Sequence, residues 1–217
     1  MAALALSRKN GNRTENMKRR IAELRTVMLR AGAEPQWFRD EHETWQILRR
    51  KPGYVTHHLY QDKQQPQHRL VYSEWESKKT LEGARQFLGG TALGRRLRAT
   101  LSGAPERLVV ELVGPITSTK GLDLPENAIA ATAVTRLPSS GSGTSDPHTT
   151  LGNHLAAKVG HITHLLFRGF EDPEVVGLIS YWQDAAVFDA AIASVTESAI
   201  AGAQAALAYV RYEPLRN

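Results

Sequence analysis

Apolar and polar positions change period several times along the chain, and each change marks an element. Residues 23–30 (ELRTVMLR) and 129–136 (IAATAVTR) read as strands. Pro35 to Arg50 carries Trp37, Phe38, Trp45, Ile47 and Leu48, and reads as a helix. Ser145-Asp146-Pro147 is a helix-start signal for a counterpart running to about Val159. Tyr54 to Tyr60 and His161 to Phe167 are rich in β-branched and aromatic residues and predict second strands. Short, polar, proline-containing loops lead into third strands, Arg69 to Trp75 and Val175 to Trp182. Ser77 and Asp184 then stand where an N-cap belongs, each able to accept from open backbone N–H groups. The helices behind them span Lys78 to Leu101, with a candidate break at Gly89-Gly90, and Ala185 to Ala208. Arg107 to Val113 and Tyr209 to Tyr212 close the two series as strands.

The order β-α-β-β-α-β therefore occurs twice, and the residues repeat with it. Gly53 to Tyr60 (GYVTHHLY) matches Gly160 to Phe167 (GHITHLLF), 107 positions later. At the same offset Pro66 meets Pro173, Ser73 meets Ser180 and Trp75 meets Trp182. Seven of the 23 positions from Gly53 to Trp75 are identical to their partners, where composition alone gives roughly one or two. Each half is a split βαβ unit, a four-stranded antiparallel sheet with both helices on one face. The other face is apolar and must be covered, and two copies in one chain can cover each other. The expected fold is α+β: two tandem ferredoxin-like domains whose antiparallel sheets pair into an intrachain dimeric α+β barrel. The expected divisions are a basic disordered tail over 1–20, a first domain over 21–114, a linker over 115–126 and a second domain over 127–217. Pro138 to Pro147 reads as a loop inside the second half.

Charge changes the picture only at the N-terminus. The 217 residues carry a formal charge of +5. Arg8, Lys9, Arg13, Lys18, Arg19 and Arg20 face only Glu15 in the first twenty residues, so the excess lies there and the rest is balanced. That distribution argues against a general nucleic-acid surface. The apolar start, Ala2 to Leu6, is too short for a secretory core segment, and Met17 is an alternative first residue. No stretch approaches a membrane span, because Asp189, Glu197, Gly202 and Gln204 interrupt the most apolar one. The absence of cysteine excludes disulfides and thiolate chemistry and suits a cytoplasmic protein. The expected partner is a small aromatic substrate, with no nucleic acid and no membrane; a homodimer of the fused unit stays open.

The glycine-led second strand, the third strand ending in Ser73-Glu74-Trp75-Glu76-Ser77 and the helix after it resemble the antibiotic biosynthesis monooxygenase family of the dimeric α+β-barrel superfamily. The second copy keeps Gly160 and Ser180-Tyr181-Trp182-Gln183-Asp184, so the resemblance covers roughly residues 22–214. It implies several possible activities, since members include haem-degrading enzymes and proteins with no known role; the leading one is a monooxygenase that turns a planar phenol, anthrone or quinol of polyketide type into a quinone. Such an enzyme needs only O2, or O2 with reduced flavin (FMN or FAD) as co-substrate. Haem-degrading members carry a histidine about ten residues after the tryptophan. This chain has Gly83-Ala-Arg-Gln-Phe87 there, which disfavours haem. The anthrone oxygenases' polar residues are likewise replaced by Val71 and Leu81, and by Leu178 and Phe188.

Strand alternation gives the candidate site residues. Val55, His57 and Leu59 share one face, and Thr56, His58 and Tyr60 the other. Val71, Ser73 and Trp75 share a face, as do Leu178, Ser180 and Trp182. Hairpins would set His57 opposite Ser73 and near Trp75, and His164 opposite Ser180 and near Trp182. A histidine near neutrality beside an aromatic plate suits proton abstraction from a phenol or an enol carbon. His57 and His164 are therefore the candidate bases, and Trp75, Trp182, Ser73, Ser180, Tyr72, Trp45 and His58 the candidate substrate contacts. His161 and His164 alternate to opposite faces and should not chelate a metal together. The competing reading makes the tryptophans core wedges and the histidines hydrogen-bonded packing groups. It corresponds to a non-catalytic small-molecule-binding or stress-related barrel. An isomerase or cyclase on the same fold is a further alternative.

Overall fold

A computed structural model describes residues 20–113, 120, 122, 124–136, 147–196 and 209–214, with side chains of 147–151, 195–196 and 209–214 excepted. The first half runs β1 (Ile21–Met28), α1 (Glu34–Leu48), β2 (Tyr54–Asp62), β3 (His68–Trp75), α2 (Lys78–Gly90), α3 (Ala92–Ala99) and β4 (Glu106–Val113). The second runs β5 (Ile129–Arg136), α4 (Pro147–Ala156), β6 (His161–Gly169), β7 (Val175–Trp182), α5 (Ala185–Thr196) and β8 (Tyr209–Pro214). The first-half sheet has the order β4-β1-β3-β2 and the second β8-β5-β7-β6. Antiparallel seams β2–β8 and β4–β6 join the two sheets into one closed barrel. The chain is thus an intrachain dimeric α+β barrel of two tandem ferredoxin-like halves, and closure leaves no sheet edge unpaired.

The faces follow the alternation. Leu24, Tyr60, Tyr72 and Val110 from the first half meet Leu165, Phe167, Ile179 and Tyr181 from the second inside the barrel. Outside, Val27, Leu59 and Val71 pack with Trp37 of α1 and Leu97 of α3, while Trp75 packs with Leu48, Leu81 and Ala84. The second half builds its outer core from Leu155, Leu178, Trp182 and Phe188.

The repeated glycine has a steric cause. Gly53 and Gly160 hold φ of +76° and +78°, a region that side chains penalise. A Cβ on Gly53 would come 2.6 Å from Thr80, and one on Gly160 would run into Val187. Thr80 and Val187 each lie three residues past the helix caps. Ser77 accepts from the Thr80 N–H at 3.3 Å, and Asp184 accepts from the Val187 N–H at 2.9 Å. The Gly53 and Gly160 carbonyls accept from Glu76 and Gln183 at 2.8 and 2.9 Å. Glycine, cap and strand end thereby fix the second strand against the helix in both copies.

The expected helix from Lys78 to Leu101 is two helices. Thr91 turns extended, donates to the Leu88 carbonyl at 2.8 Å and accepts from the Gly94 N–H at 3.0 Å. Gly94 permits the tight turn, since a Cβ there would strike the Leu88 carbonyl. α3 then lies beside α1 over the outer face of the first sheet. β1 starts at Ile21, because Arg20 already accepts from Leu112 across the β1–β4 pair. The expected tail before Arg20, most of the linker, the Pro138 to Asp146 stretch of the expected loop and the last helix beyond Thr196 lie outside the described residues. No helix among the described residues is long and apolar enough to cross a membrane.

Candidate active site

A cavity of about 200 Å3 lies between the outer face of the first sheet and helices α1, α2 and α3. Strand alternation turns Glu23, Arg25, His57 and Ser73 toward it, and Trp37 and Trp75 supply aromatic wall. Trp37, Glu41, Thr44 and Leu48 lie on one stripe of α1 at helical spacing, and all four line it. One end is open: Arg98 and Arg107 there are exposed, and Arg85 is half-buried.

Its polar groups are unusually poorly partnered. Arg25 is ion-paired with Glu41. The second Glu41 oxygen (Oε2), Thr44 Oγ1, Arg25 Nε and both ring nitrogens of His57 are shielded and without a hydrogen-bond partner. Most buried polar atoms in folded proteins are paired, and five unpaired atoms gather here on four residues around one cavity. Burial raises the Glu41 carboxyl above its ordinary range, against the lowering pull of Arg25. Burial pushes the His57 imidazole down to about 3, with Arg25 and His58 adding to the effect. The expectation of a histidine near neutrality is thereby corrected: His57 is a neutral ring with a donor nitrogen and an acceptor nitrogen at pH 7. At the open end Glu23 accepts from Arg85 at 2.7 and 3.1 Å and faces Arg107 at 3.7 Å.

The expected residues divide among three environments. His57 pairs with Ser73 across β2 and β3 as anticipated, and both line the cavity with Trp75. The Trp75 indole N–H donates to Ser73 Oγ at 3.0 Å, so the serine also holds the aromatic wall in place. Trp45 is a correction: its indole donates to the Tyr54 hydroxyl at 2.9 Å, with Arg49 over the ring, and it does not line the cavity. Tyr72 and His58 are corrections too, because alternation sends them into the barrel. There the Tyr72 hydroxyl donates to Glu74 at 2.9 Å, and the His58 ring stacks on Tyr72 with centroids 6.1 Å apart.

His164, Ser180 and Trp182 repeat the arrangement in the second half, with His164 opposite Ser180. The Trp182 indole donates to Ser180 Oγ at 2.9 Å among Leu155, Leu178 and Phe188. His164 has a partner, since its Nδ1 lies 3.3 Å from His161 Nε2. The expectation that these two histidines face apart is corrected. A β-bulge between His161 and Thr163 resets the alternation and brings the rings to 5.2 Å. The positions matching Glu23 and Arg25 in strand register are Ala131 and Ala133, and the one matching Arg85 is Ile192.

Glu41, Thr44, Arg25, Glu23 and Arg85 were not anticipated. Glu41 left one signal, a carboxylate on the helix stripe of Trp37 and Leu48. Glu23 and Arg25 left none, because a charged alternation on an outer strand reads as a solvated face.

No family model and no curated protein matches the chain. Solved structures match along nearly its whole length. A protein provisionally named a monooxygenase from Fusobacterium nucleatum subsp. nucleatum superposes with a TM-score of 0.65 at 7% identity, covering 92% of this chain and 94% of that one. A protein provisionally named a chlorite dismutase gives 0.67 at 12%, covering 92% and 96%. An anthrone oxidase-like protein gives 0.62 at 12%, covering 93% of each. Identities this low speak for architecture alone: the chain is a tandem-duplicated dimeric α+β barrel, the fold toward which its resemblance to the antibiotic biosynthesis monooxygenases points.

Proposed function

We propose that the chain is a cofactor-independent monooxygenase that oxidises a small phenol or quinol in the first-half cavity. The observation that carries this reading is the set of unpartnered polar atoms on Glu41, Thr44, Arg25 and His57 around a tryptophan-walled space. Glu41 takes a proton from the substrate; a carboxylate whose proton affinity burial has raised is a stronger base than one in water. Neutral His57 orients the substrate oxygen and donates to it as negative charge develops there. The electron-rich carbon then combines with O2, and loss of water leaves the quinone carbonyl. One O2 is consumed and one water formed per quinone.

Size limits the substrate. A dry cavity of about 150 Å3 admits benzene, so about 200 Å3 suits one ring or a compact pair. A tricyclic anthrone exceeds that volume. The same limit weighs against haem, as do the donors: Arg85, ten residues past Trp75, is committed to Glu23 and offers no ligand. The chemistry is assigned to the first half, where Glu23, Arg25 and Arg85 are present.

Oxygen uptake with hydroquinones, naphthols and anthrones, with and without reduced flavin, tests the reading. Expected is flavin-independent uptake with one- and two-ring substrates, lost on the order of a hundredfold in Glu41→Gln. An isomerase uses the same base without O2. Exchange of a substrate C–H proton with solvent, without oxygen uptake, identifies that activity instead.

A further inference from the structure

The open end of the cavity carries more cation than the neutral phenol of the previous section uses. Arg25, Arg85, Arg98 and Arg107 line the cavity against Glu23 and Glu41, an excess of two positive charges. Arg25 is paired to Glu41, and Arg85 and Arg107 share one Glu23 oxygen. Arg98 has no carboxylate partner among the described residues; its guanidinium reaches only the Gly89 carbonyl, at 3.3 Å. The three guanidiniums at this end come from α2, α3 and β4, so they converge from separate elements rather than forming a solvated row along one helix. Arg107 is crowded by like charge: partial desolvation lowers its proton affinity, and Arg25, Arg85 and Arg98 lower it further while Glu23 opposes them. Guanidinium forks match the planar, two-oxygen face of a carboxylate. An anion placed among them relieves like-charge crowding.

We propose that the substrate is an aromatic acid of one or two rings, its carboxylate held at the open end by Arg98 and Arg107 and its ring lying inward against Trp37 and Trp75. This rests on the assignment of the cavity as a substrate site and adds the chemical class of the substrate. The arrangement sets the order of groups along the ligand. The carboxylate sits toward solvent, and the hydroxylated edge of the ring sits at Glu41, Thr44 and His57.

Calorimetric titration of the full chain with 6-hydroxy-2-naphthoate, its methyl ester and 2-naphthol tests the inference. Expected is at least tenfold tighter binding of the acid than of the ester, a preference that shrinks as sodium chloride is raised. Arg98→Gln and Arg107→Gln should each remove most of that preference, weakening the acid far more than the ester. Equal affinity of the wild-type chain for acid and ester overturns the anion subsite while leaving the cavity as a substrate site. Binding of none of the three overturns both.

Discussion

The hydroxyls of Tyr60 and Tyr181 lie 3.1 Å apart inside the barrel, one from each half of the chain. Both are fully buried, and burial raises both phenols above their ordinary value. Removing the Tyr60 hydroxyl takes the hydrogen-bond partner from the buried Tyr181 hydroxyl. Tyr60→Phe should therefore cost about 1–3 kcal/mol. Tyr60→Phe/Tyr181→Phe should cost less than the sum of the two single changes, as urea unfolding in a double-mutant cycle will show. Neither phenol should ionise in ultraviolet titration at pH 10.

The buried pair Arg25–Glu41 predicts a sharper asymmetry. Glu41 is 1% exposed and Arg25 17%. Arg25→Met leaves a buried carboxylate without its counter-charge and should destabilise by about 3–5 kcal/mol. Adding Glu41→Leu should recover most of that loss, because both desolvation costs then vanish. Chemical denaturation of the three variants measures it.

His57 and Glu41 should tilt stability with pH in opposite directions. His57 has a folded pKa of about 3 against an ordinary value of 6.5, so its unfolded form binds more protons between those limits. Its contribution is intact above 6.5 and is lost as pH falls, by up to about 1.4 kcal/mol per pH unit. Glu41 is raised, so its contribution is intact below its unfolded value of 4.5 and is lost as pH rises. His57→Phe should flatten the acid loss of stability between pH 6 and pH 4, and Glu41→Gln should steepen it. Denaturation midpoints across that range separate the two.

Ser180 is buried and accepts from the Trp182 indole, so Ser180→Ala leaves that N–H unpaired among hydrocarbon. A loss of about 1–3 kcal/mol is expected. Ser73→Ala does the same beneath Trp75 and also loosens a cavity wall, so it should weaken ligand binding while Ser180→Ala does not.

Gly53→Ala meets two penalties. The positive φ costs about 1–2 kcal/mol for a side chain, and the new methyl collides with Thr80. Thr80→Ala in the same background should return only part of the collision, because the Thr80 Cβ itself would stand 2.8 Å from the new methyl. Thermal unfolding of the two variants measures that part.

The fold was legible because its determinants are local and repeated. The glycine, the cap and the Ser-x-Trp strand end occur twice at one spacing, and each has a steric or hydrogen-bonding reason to persist. The site was legible where alternation alone decides placement, as for His57, Ser73 and Trp75. It failed where geometry departs from alternation, as at the bulge after His161. It failed also where a charge faces a cavity instead of water, as at Arg25. Trp45 shows a third cause: its stripe on α1 is offset from that of Trp37 and Leu48, so a neighbour in sequence is not a neighbour at the cavity.

Fusion of the halves releases the barrel from the rule of two identical subunits, in which every substitution appears twice. Ala131 and Ala133 can stand where Glu23 and Arg25 stand in the other half, and neither choice is copied across the pseudo-twofold axis. One half can then carry a buried ion pair beneath its helices while the equivalent strand of the other carries methyl groups. A symmetric assembly of single-domain chains has no way to reach that difference.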